Sequence, residues 1–182
     1  GASSILMHEV IKKINENEFT IWAITRDITK ISNPKIKLLE GSIQDTSFVN
    51  SIILENKIDI VIHAAAITHT ENVQEYFDVN LQSTINLVNA SKQNNVQKFI
   101  FISTRAAGKD SGAYGVSKLK AEEYIKANVD QWLIIRPSEI FGGNKKEGID
   151  KLINDLIHKK IILCPINLKS KLYPIFNGDA AQ

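Results

Sequence analysis

Ile58-Asp59-Ile60-Val61-Ile62 decides the fold class, because it is a nearly continuous apolar run of strand length. Such a run is typical of a strand covered on both faces of a parallel sheet. Residues 98–102 form a second run, and β-rich runs cover residues 19–25, 36–39 and 132–135. Helical periodicity between the runs covers residues 5–14, 48–54, 74–94 and 118–125. This alternation predicts an α/β fold, a doubly wound parallel sheet with flanking helices.

Composition excludes several classes of function. The chain has 182 residues, and its 22 basic and 20 acidic residues give a net charge of +2. This balance gives no electrostatic case for nucleic acid or an anionic membrane as a partner. No apolar run approaches the roughly 20 residues that a membrane span needs. A single cysteine excludes an internal disulfide and fits a reducing compartment, so we expect a cytoplasmic protein. No histidine or cysteine spacing predicts a metal site.

Small and polar residues follow the predicted strands at the edge where a doubly wound sheet binds its ligand. In this fold the ligand lies beyond the carboxyl ends of the strands. The residues found there are His63, Ala64, Ala65 and Ala66 after the strand at 58–62, Ser103 and Thr104 after 98–102, and Arg136, Pro137 and Ser138 after 132–135. We therefore expect these segments to converge on one crevice.

Tyr114-Gly115-Val116-Ser117-Lys118 places a phenol and an amine four residues apart at the start of a predicted helix. Side chains with this spacing share one helical face. A nearby cation stabilises a phenolate, so we expect Lys118 to lower the pKa of Tyr114 from its ordinary value near 10. Tyr114 would then transfer protons near neutral pH. The same spacing also occurs on solvated helix faces, which leaves a purely structural interpretation open for this pair alone.

The chain resembles the short-chain dehydrogenase/reductase superfamily, specifically its extended group of nucleotide-sugar epimerases, dehydratases and reductases. The resemblance rests on residues 59–66, Val79-Asn80 with Thr84 and Asn86-Leu87, and residues 99–104, 114–122, 136–142 and 174–181. It implies a Rossmann-like fold and an NAD or NADP cofactor. It also implies a nucleotide-sugar substrate, and a homodimer formed through the helices at 74–94 and 111–127.

The resemblance also implies roles for the site residues. Tyr114 would be the general acid/base in a hydride transfer, and Lys118 would hold the nicotinamide ribose hydroxyls. Thr104, or Ser103 beside it, would hydrogen-bond the reacting oxygen. The implied cofactor contacts are Gly1, Ser3, Ser4, Ile5, Arg26, Ser42, Ile43, His63, Ala64, Ala65, Ala66, Asn80, Ser103, Tyr114, Lys118, Pro137 and Ser138.

The cofactor segments depart from the family pattern at several positions. Gly1 is retained from the G-x-x-G-x-x-G loop, but Ser4 and Met7 replace the other two glycines. Arg26 favours the extra phosphate of NADP, while Asp27 argues for the ribose hydroxyls of NAD. Ser42 stands where an aspartate beside the adenine is usual. These departures keep a second hypothesis open, a redox-silent relative that binds NAD(P)H as a structural or sensing element.

Two further expectations concern the organisation of the chain. Residues 1–165 would form the dinucleotide-binding domain, and residues 166–182 would begin a substrate-binding domain that is largely absent. The family's central first strand would precede Gly1, so we expect the natural polypeptide to begin earlier.

Overall fold

The computed structural model describes residues 1–143, 148–161 and 173–182. They form two compact units. The first contains Gly1–Ser4 and Asn15–Arg136, and the second contains Ile5–Ile14 and Pro137–Gln182. The predicted domain boundary between residues 165 and 166 lies outside the described residues and stays a prediction.

The first unit is built on parallel strands, which confirms the predicted α/β class. Its strands are β1 (Ile21–Thr25), β2 (Ile36–Glu40), β3 (Ile60–His63), β4 (Lys98–Ile102) and β5 (Trp132–Ile135). The described strands form two separate sheets in this unit, β1–β2 and β3–β4–β5, each parallel throughout.

Helices cover one face of the three-stranded sheet. They are α2 (Thr46–Glu55), α3 (Val73–Tyr76), α4 (Ser83–Gln93) and α5 (Gly112–Asn128). Alternate strand residues point into the core, so Val61 of β3 and Phe99 and Phe101 of β4 are buried. They pack with Val88 of α4 and Ile125 of α5 in one apolar cluster. The burial of apolar side chains against these helices is the main force that fixes the strand ends.

The long helix predicted at 74–94 is interrupted. A π-helical segment, Phe77–Gln82, separates α3 from α4. Side chains satisfy the backbone groups that this wider turn frees, since Thr84 Oγ1 donates to the Asn80 carbonyl at 2.6 Å and Ser83 Oγ donates to the Asp78 carbonyl at 3.3 Å. Such π-segments are often found at functional sites.

The second unit contains α1 (Ile5–Lys13), β6 (Ile140–Phe141), α6 (Gly148–His158), β7 (Ile175–Phe176) and α7 (Asn177–Ala180). β6 and β7 pair in parallel, and the rings of Phe141 and Phe176 pack edge to face with centroids 5.8 Å apart. Lys13 Nζ donates to the carbonyl of Gly178 at 3.0 Å, which ties α1 to α7. Among the described residues, no helix has the length and apolar character that crossing a bilayer requires.

Candidate active site

Thr104 and Tyr114 meet at the carboxyl end of β4. The Thr104 side chain lies beside the Tyr114 phenol and acts to lower its pKa. Thr104 Oγ1 accepts from the backbone N–H of Ala106 at 3.2 Å. The Tyr76 ring lies beside this pair, with its centroid 6.1 Å from that of Tyr114. The structure therefore brings together Thr104 and Tyr114, two of the three predicted catalytic residues.

The electrostatics of Tyr114 differ from the sequence-based expectation. Burial raises the pKa of the phenol above its ordinary value, the Thr104 side chain offsets part of this effect, and Tyr76 adds to it. The expectation that the pKa is lowered is wrong for this structure. Burial is the reason, because a phenolate loses more hydration than a neutral phenol does. Tyr114 therefore holds its proton at neutral pH.

Lys118 lies one helical turn after Tyr114, and its side chain enters the core. The side chain is 1% exposed, Nζ donates to the carbonyl of Ile102 at 2.8 Å, and Nζ lies 3.9 Å from the centroid of the Phe101 ring. Burial lowers the pKa of Lys118 to about 7, although the charge of Glu122 acts in the opposite direction. A buried amine with this pKa changes its protonation state near physiological pH.

A buried carboxylate, Glu122, occupies the next turn of α5 and was assigned no role from the sequence. It is 0% exposed and accepts hydrogen bonds from Ser103 Oγ and from two nitrogens of Arg136, Nε at 2.8 Å and Nη2 at 2.5 Å. Burial acts to raise the pKa of Glu122, but the bonds from Arg136 and Ser103 outweigh it and hold the pKa below its usual value. The i, i+4 spacing of Lys118 and Glu122 was the available sequence signal, but it equally describes a solvated surface pair.

His63, at the end of β3, is a neutral core residue. It is 3% exposed, and its ring lies 5.3 Å from that of Phe101 between centroids. His63 Nε2 is 2.9 Å from Thr84 Oγ1, whose single proton is donated to the Asn80 carbonyl. His63 must therefore donate from Nε2, which fixes the tautomer. Burial, with a smaller contribution from the charge of Lys118, lowers the pKa of His63 to about 3.

Asn80, a predicted cofactor contact, uses its side chain inside the protein. It is 0% exposed. Its Oδ1 accepts from the Ile67 N–H at 2.8 Å, and its Nδ2 donates to the Ile67 carbonyl at 3.0 Å and to Ser117 Oγ at 3.1 Å. Ser117 Oγ in turn donates to the carbonyl of Tyr114 at 2.8 Å. Asn80 thus connects the segment after β3 to the turn of α5 that carries Tyr114.

Gly1 lies against the segment that follows β3. A side chain at this position has no room, because a Cβ would lie 2.5 Å from the backbone nitrogen of Ala65 and 2.7 Å from the carbonyl carbon of Ala64. The Gly1 carbonyl accepts from the Ser4 N–H at 2.9 Å. Ser3 and Ala66 are exposed, whereas Ser4 is half-buried. The structure therefore brings Gly1, Ala64 and Ala65 together.

Arg26 and Asp27 behave differently at the end of β1. Asp27 caps a short 3-10 turn, because its Oδ1 accepts from the N–H of Thr29 at 3.0 Å and from Thr29 Oγ1 at 2.6 Å. Arg26 is exposed, so its guanidinium is accessible to a ligand at the end of β1.

The other predicted cofactor residues lie elsewhere. Ser42 and Ile43 follow β2; Ser42 Oγ accepts from the N–H of Gln44 at 3.2 Å, and Ile43 packs against the apolar cluster. Ile5, Pro137 and Ser138 belong to the second unit. Among residues 1–143, 148–161 and 173–182, no group of three histidine, cysteine or carboxylate side chains has the geometry of a metal site.

A parallel α/β fold with Thr104 beside Tyr114, and Lys118 one turn later, defines the class as the extended short-chain dehydrogenases/reductases. The family model described as "Polysaccharide biosynthesis protein" matches residues 4–134. The chain belongs to this family.

The chain is similar to named enzymes. It is 29% identical over 194 residues to human dTDP-D-glucose 4,6-dehydratase, an alignment that covers 88% of this chain and 55% of the relative. The chain thus spans about half the length of this relative and of its bovine and mouse counterparts.

Solved structures agree on the fold. The Bordetella bronchiseptica enzyme WbmH in complex with NAD+ superposes with a TM-score of 0.81 at 18% identity, over all of this chain and 68% of that chain. UDP-glucose 4-epimerase from Thermotoga maritima, solved with UDP-glucose, superposes with a TM-score of 0.85 at 16% identity. The superposition covers 100% of this chain and 69% of the epimerase chain.

Proposed function

We propose that the protein is an NAD(P)-dependent epimerase, dehydratase or reductase that acts on a nucleotide-linked sugar. The observation that carries this proposal is the placement of Thr104 beside Tyr114 at the carboxyl end of β4, with Lys118 one helical turn away. Parallel α/β sheets bind their ligands at this edge. The dehydratase and epimerase names of the relatives support the same reaction classes.

The residues present fit a nicotinamide dinucleotide. Gly1 packs directly against the backbone of Ala64 and Ala65, where a Cβ has no room, and such close packing is what the first glycine of a dinucleotide-binding turn provides. His63 is neutral and buried, and it presents no competing charge beneath this segment. A bound nicotinamide supplies or accepts the hydride. Lys118 would hold its ribose hydroxyls, and its buried Nζ would have to leave the Ile102 carbonyl to do so.

Tyr114 is the proton donor and acceptor in this proposal. Because it is protonated at neutral pH, Tyr114 is ready to donate a proton to a sugar oxygen that gains negative charge as its carbon receives hydride. In the reverse direction the phenolate that this donation leaves would take a hydroxyl proton as the carbon loses hydride. Thr104, beside the same phenol, would orient the reacting oxygen.

We infer a preference for NADP from the end of β1. The Asp27 carboxylate is occupied by Thr29 and by Lys30 at 3.5 Å, so it is poorly placed to accept from a ribose hydroxyl. Arg26 is exposed at the end of β1 and suits a 2′-phosphate. Arg26→Ala should weaken NADPH binding about tenfold or more and leave NADH binding unchanged, while the exposed Lys35→Ala serves as the control. An equal loss for both dinucleotides would contradict the preference.

The proposal also includes a homodimer, which rests on family resemblance. It includes a cytoplasmic location, which rests on the single cysteine.

The full chain should be titrated with NADH and NADPH and then assayed with UDP-, GDP- and dTDP-linked sugars. The proposal predicts dinucleotide binding and turnover of at least one of these sugars. Failure to bind either dinucleotide would remove it.

A redox-silent NAD(P)H sensor is the alternative, favoured by Ser4 and Met7 in place of two loop glycines. Binding without turnover of any sugar would favour this alternative.

A further inference from the structure

Gly115, directly after Tyr114, lowers the stability of helix α5 unless a packing contact compensates for it. It lies inside α5, where glycine is less favourable than alanine by about 1 kcal/mol. Its backbone has no positive φ that would require glycine, unlike Gly112 at the start of the helix. The reason for glycine must therefore lie in packing.

The packing contact is with the turn that carries Thr104. A Cβ at position 115 would lie 2.3 Å from the carbonyl oxygen of Ala106 and 2.4 Å from Ser111 Cβ. Both distances are far inside van der Waals contact, and the Ala106 oxygen is backbone and cannot rotate away. Gly115 is buried, so the contact is enclosed. The absence of a side chain is what lets α5 approach this turn.

Two hydrogen bonds hold residues 104–107 together as a turn. The Thr104 carbonyl accepts from the N–H of Ala107 at 3.1 Å, and Thr104 Oγ1 accepts from the N–H of Ala106 at 3.2 Å. A displacement of Ala106 is therefore transmitted to the Thr104 hydroxyl. The Thr104 side chain lies beside the phenol of Tyr114, the neighbour of Gly115 in α5.

We propose that Gly115 is a positioning residue for the reaction: its missing side chain seats the 104–107 turn against α5 and so sets the position of the Thr104 hydroxyl beside the Tyr114 phenol. This inference rests on the proposed function for its kinetic consequence, but its geometric part does not.

The kinetic test is a double-mutant cycle in the full chain between Gly115→Ala and Thr104→Val. Each variant should lower kcat about 10- to 100-fold, since misplacement by about 1 Å can cost a factor of this size. The KM for the dinucleotide should stay unchanged. If Gly115 acts through Thr104, the double variant should be no slower than the worse single variant, whereas independent effects multiply.

Gly108→Ala is the matched control, because a Cβ there lies 2.7 Å from the rotatable hydroxyl of Ser111 and meets nothing else within 3.8 Å. It should keep wild-type kcat. Wild-type kcat in Gly115→Ala, or multiplied losses in the double variant, would overturn the proposal. Should Gly115→Ala fold poorly, the Gly115→Ala/Ser111→Gly variant removes one of the two contacts and takes its place in the cycle.

An NMR measurement separates this inference from the proposed function, because it needs no substrate. It follows the signal of the Tyr114 ring carbon that bears the hydroxyl, which is assigned by its absence in Tyr114→Phe. This signal reports the contact of the phenol with Thr104. Gly115→Ala should shift it toward its position in Thr104→Val, and Gly108→Ala should not. An unmoved signal in Gly115→Ala would overturn the inference even if no sugar substrate is found.

Discussion

Tyr114 and Lys118 lie one turn apart on α5, but their polar groups have different partners. The phenol lies beside Thr104, while the ammonium is bonded to the carbonyl of Ile102 and lies over the Phe101 ring. The phenol keeps its proton because burial raises its pKa, and the amine is close to releasing one because burial lowers its pKa to about 7. The pair therefore consists of a protonated acid and a titratable base at neutral pH.

Lys118 should make stability depend on pH above neutrality. An unfolded lysine keeps its proton up to about pH 10.4, whereas folded Lys118 releases it near pH 7. The unfolded state then binds more protons between these values, so the free energy of unfolding rises with pH by up to about 1.4 kcal/mol per unit. Lys118→Met should remove this rise in urea unfolding of the dinucleotide-free protein. The exposed Lys120→Met should retain it, and a rise that persists in Lys118→Met would refute the assignment.

The Glu122–Arg136 pair should respond asymmetrically to mutation. Arg136→Met leaves a fully buried carboxylate without its cation and should cost about 3–5 kcal/mol of unfolding free energy. Glu122→Gln leaves Arg136, whose side chain is 43% exposed and can hydrate, so the loss should be about 1–2 kcal/mol. Exposed Glu123→Gln should change stability by less than about 0.5 kcal/mol.

The same pair predicts acid sensitivity. Because the folded pKa of Glu122 is depressed, its contribution is present above the unfolded value near 4.3 and is lost as pH falls through the folded value. Equal losses in Arg136→Met and Glu122→Gln at neutral pH would show that the carboxylate is not buried as described.

Sequence predicted the strands well because apolar runs such as residues 98–102 have few other structures available. It also predicted that Thr104 and Tyr114 lie at the same edge of the sheet, because a doubly wound sheet binds its ligand beyond the carboxyl ends of the strands. It could not give the direction of the Tyr114 pKa shift. That direction depends on how the folded chain buries the phenol and on Tyr76, which is distant in sequence. Nor could it distinguish buried Glu122 from a surface charge, because the i, i+4 pattern is the same in both cases.

Asn80 should be intolerant of a change that keeps its shape. Asn80→Asp loses the amide protons that bond the Ile67 carbonyl and Ser117, and it places a carboxylate beside that carbonyl. We expect a loss of about 2–3 kcal/mol in unfolding free energy, because a buried acceptor is left unpaired. Asn89→Asp is the control, since Asn89 only needs an oxygen to accept from the Tyr124 hydroxyl. Similar stabilities of the two variants would argue against the Asn80 hydrogen bonds that connect Ile67 to Ser117 of α5.

Turnover by Tyr114→Phe tests the central claim most directly, with Tyr124→Phe on the same helix as its control. The account predicts that kcat with the nucleotide-sugar substrate falls about 10²- to 10⁴-fold, as expected when a general acid/base is lost, while NAD(P)H affinity is retained. A Tyr114→Phe protein that turns over at the wild-type rate would contradict it.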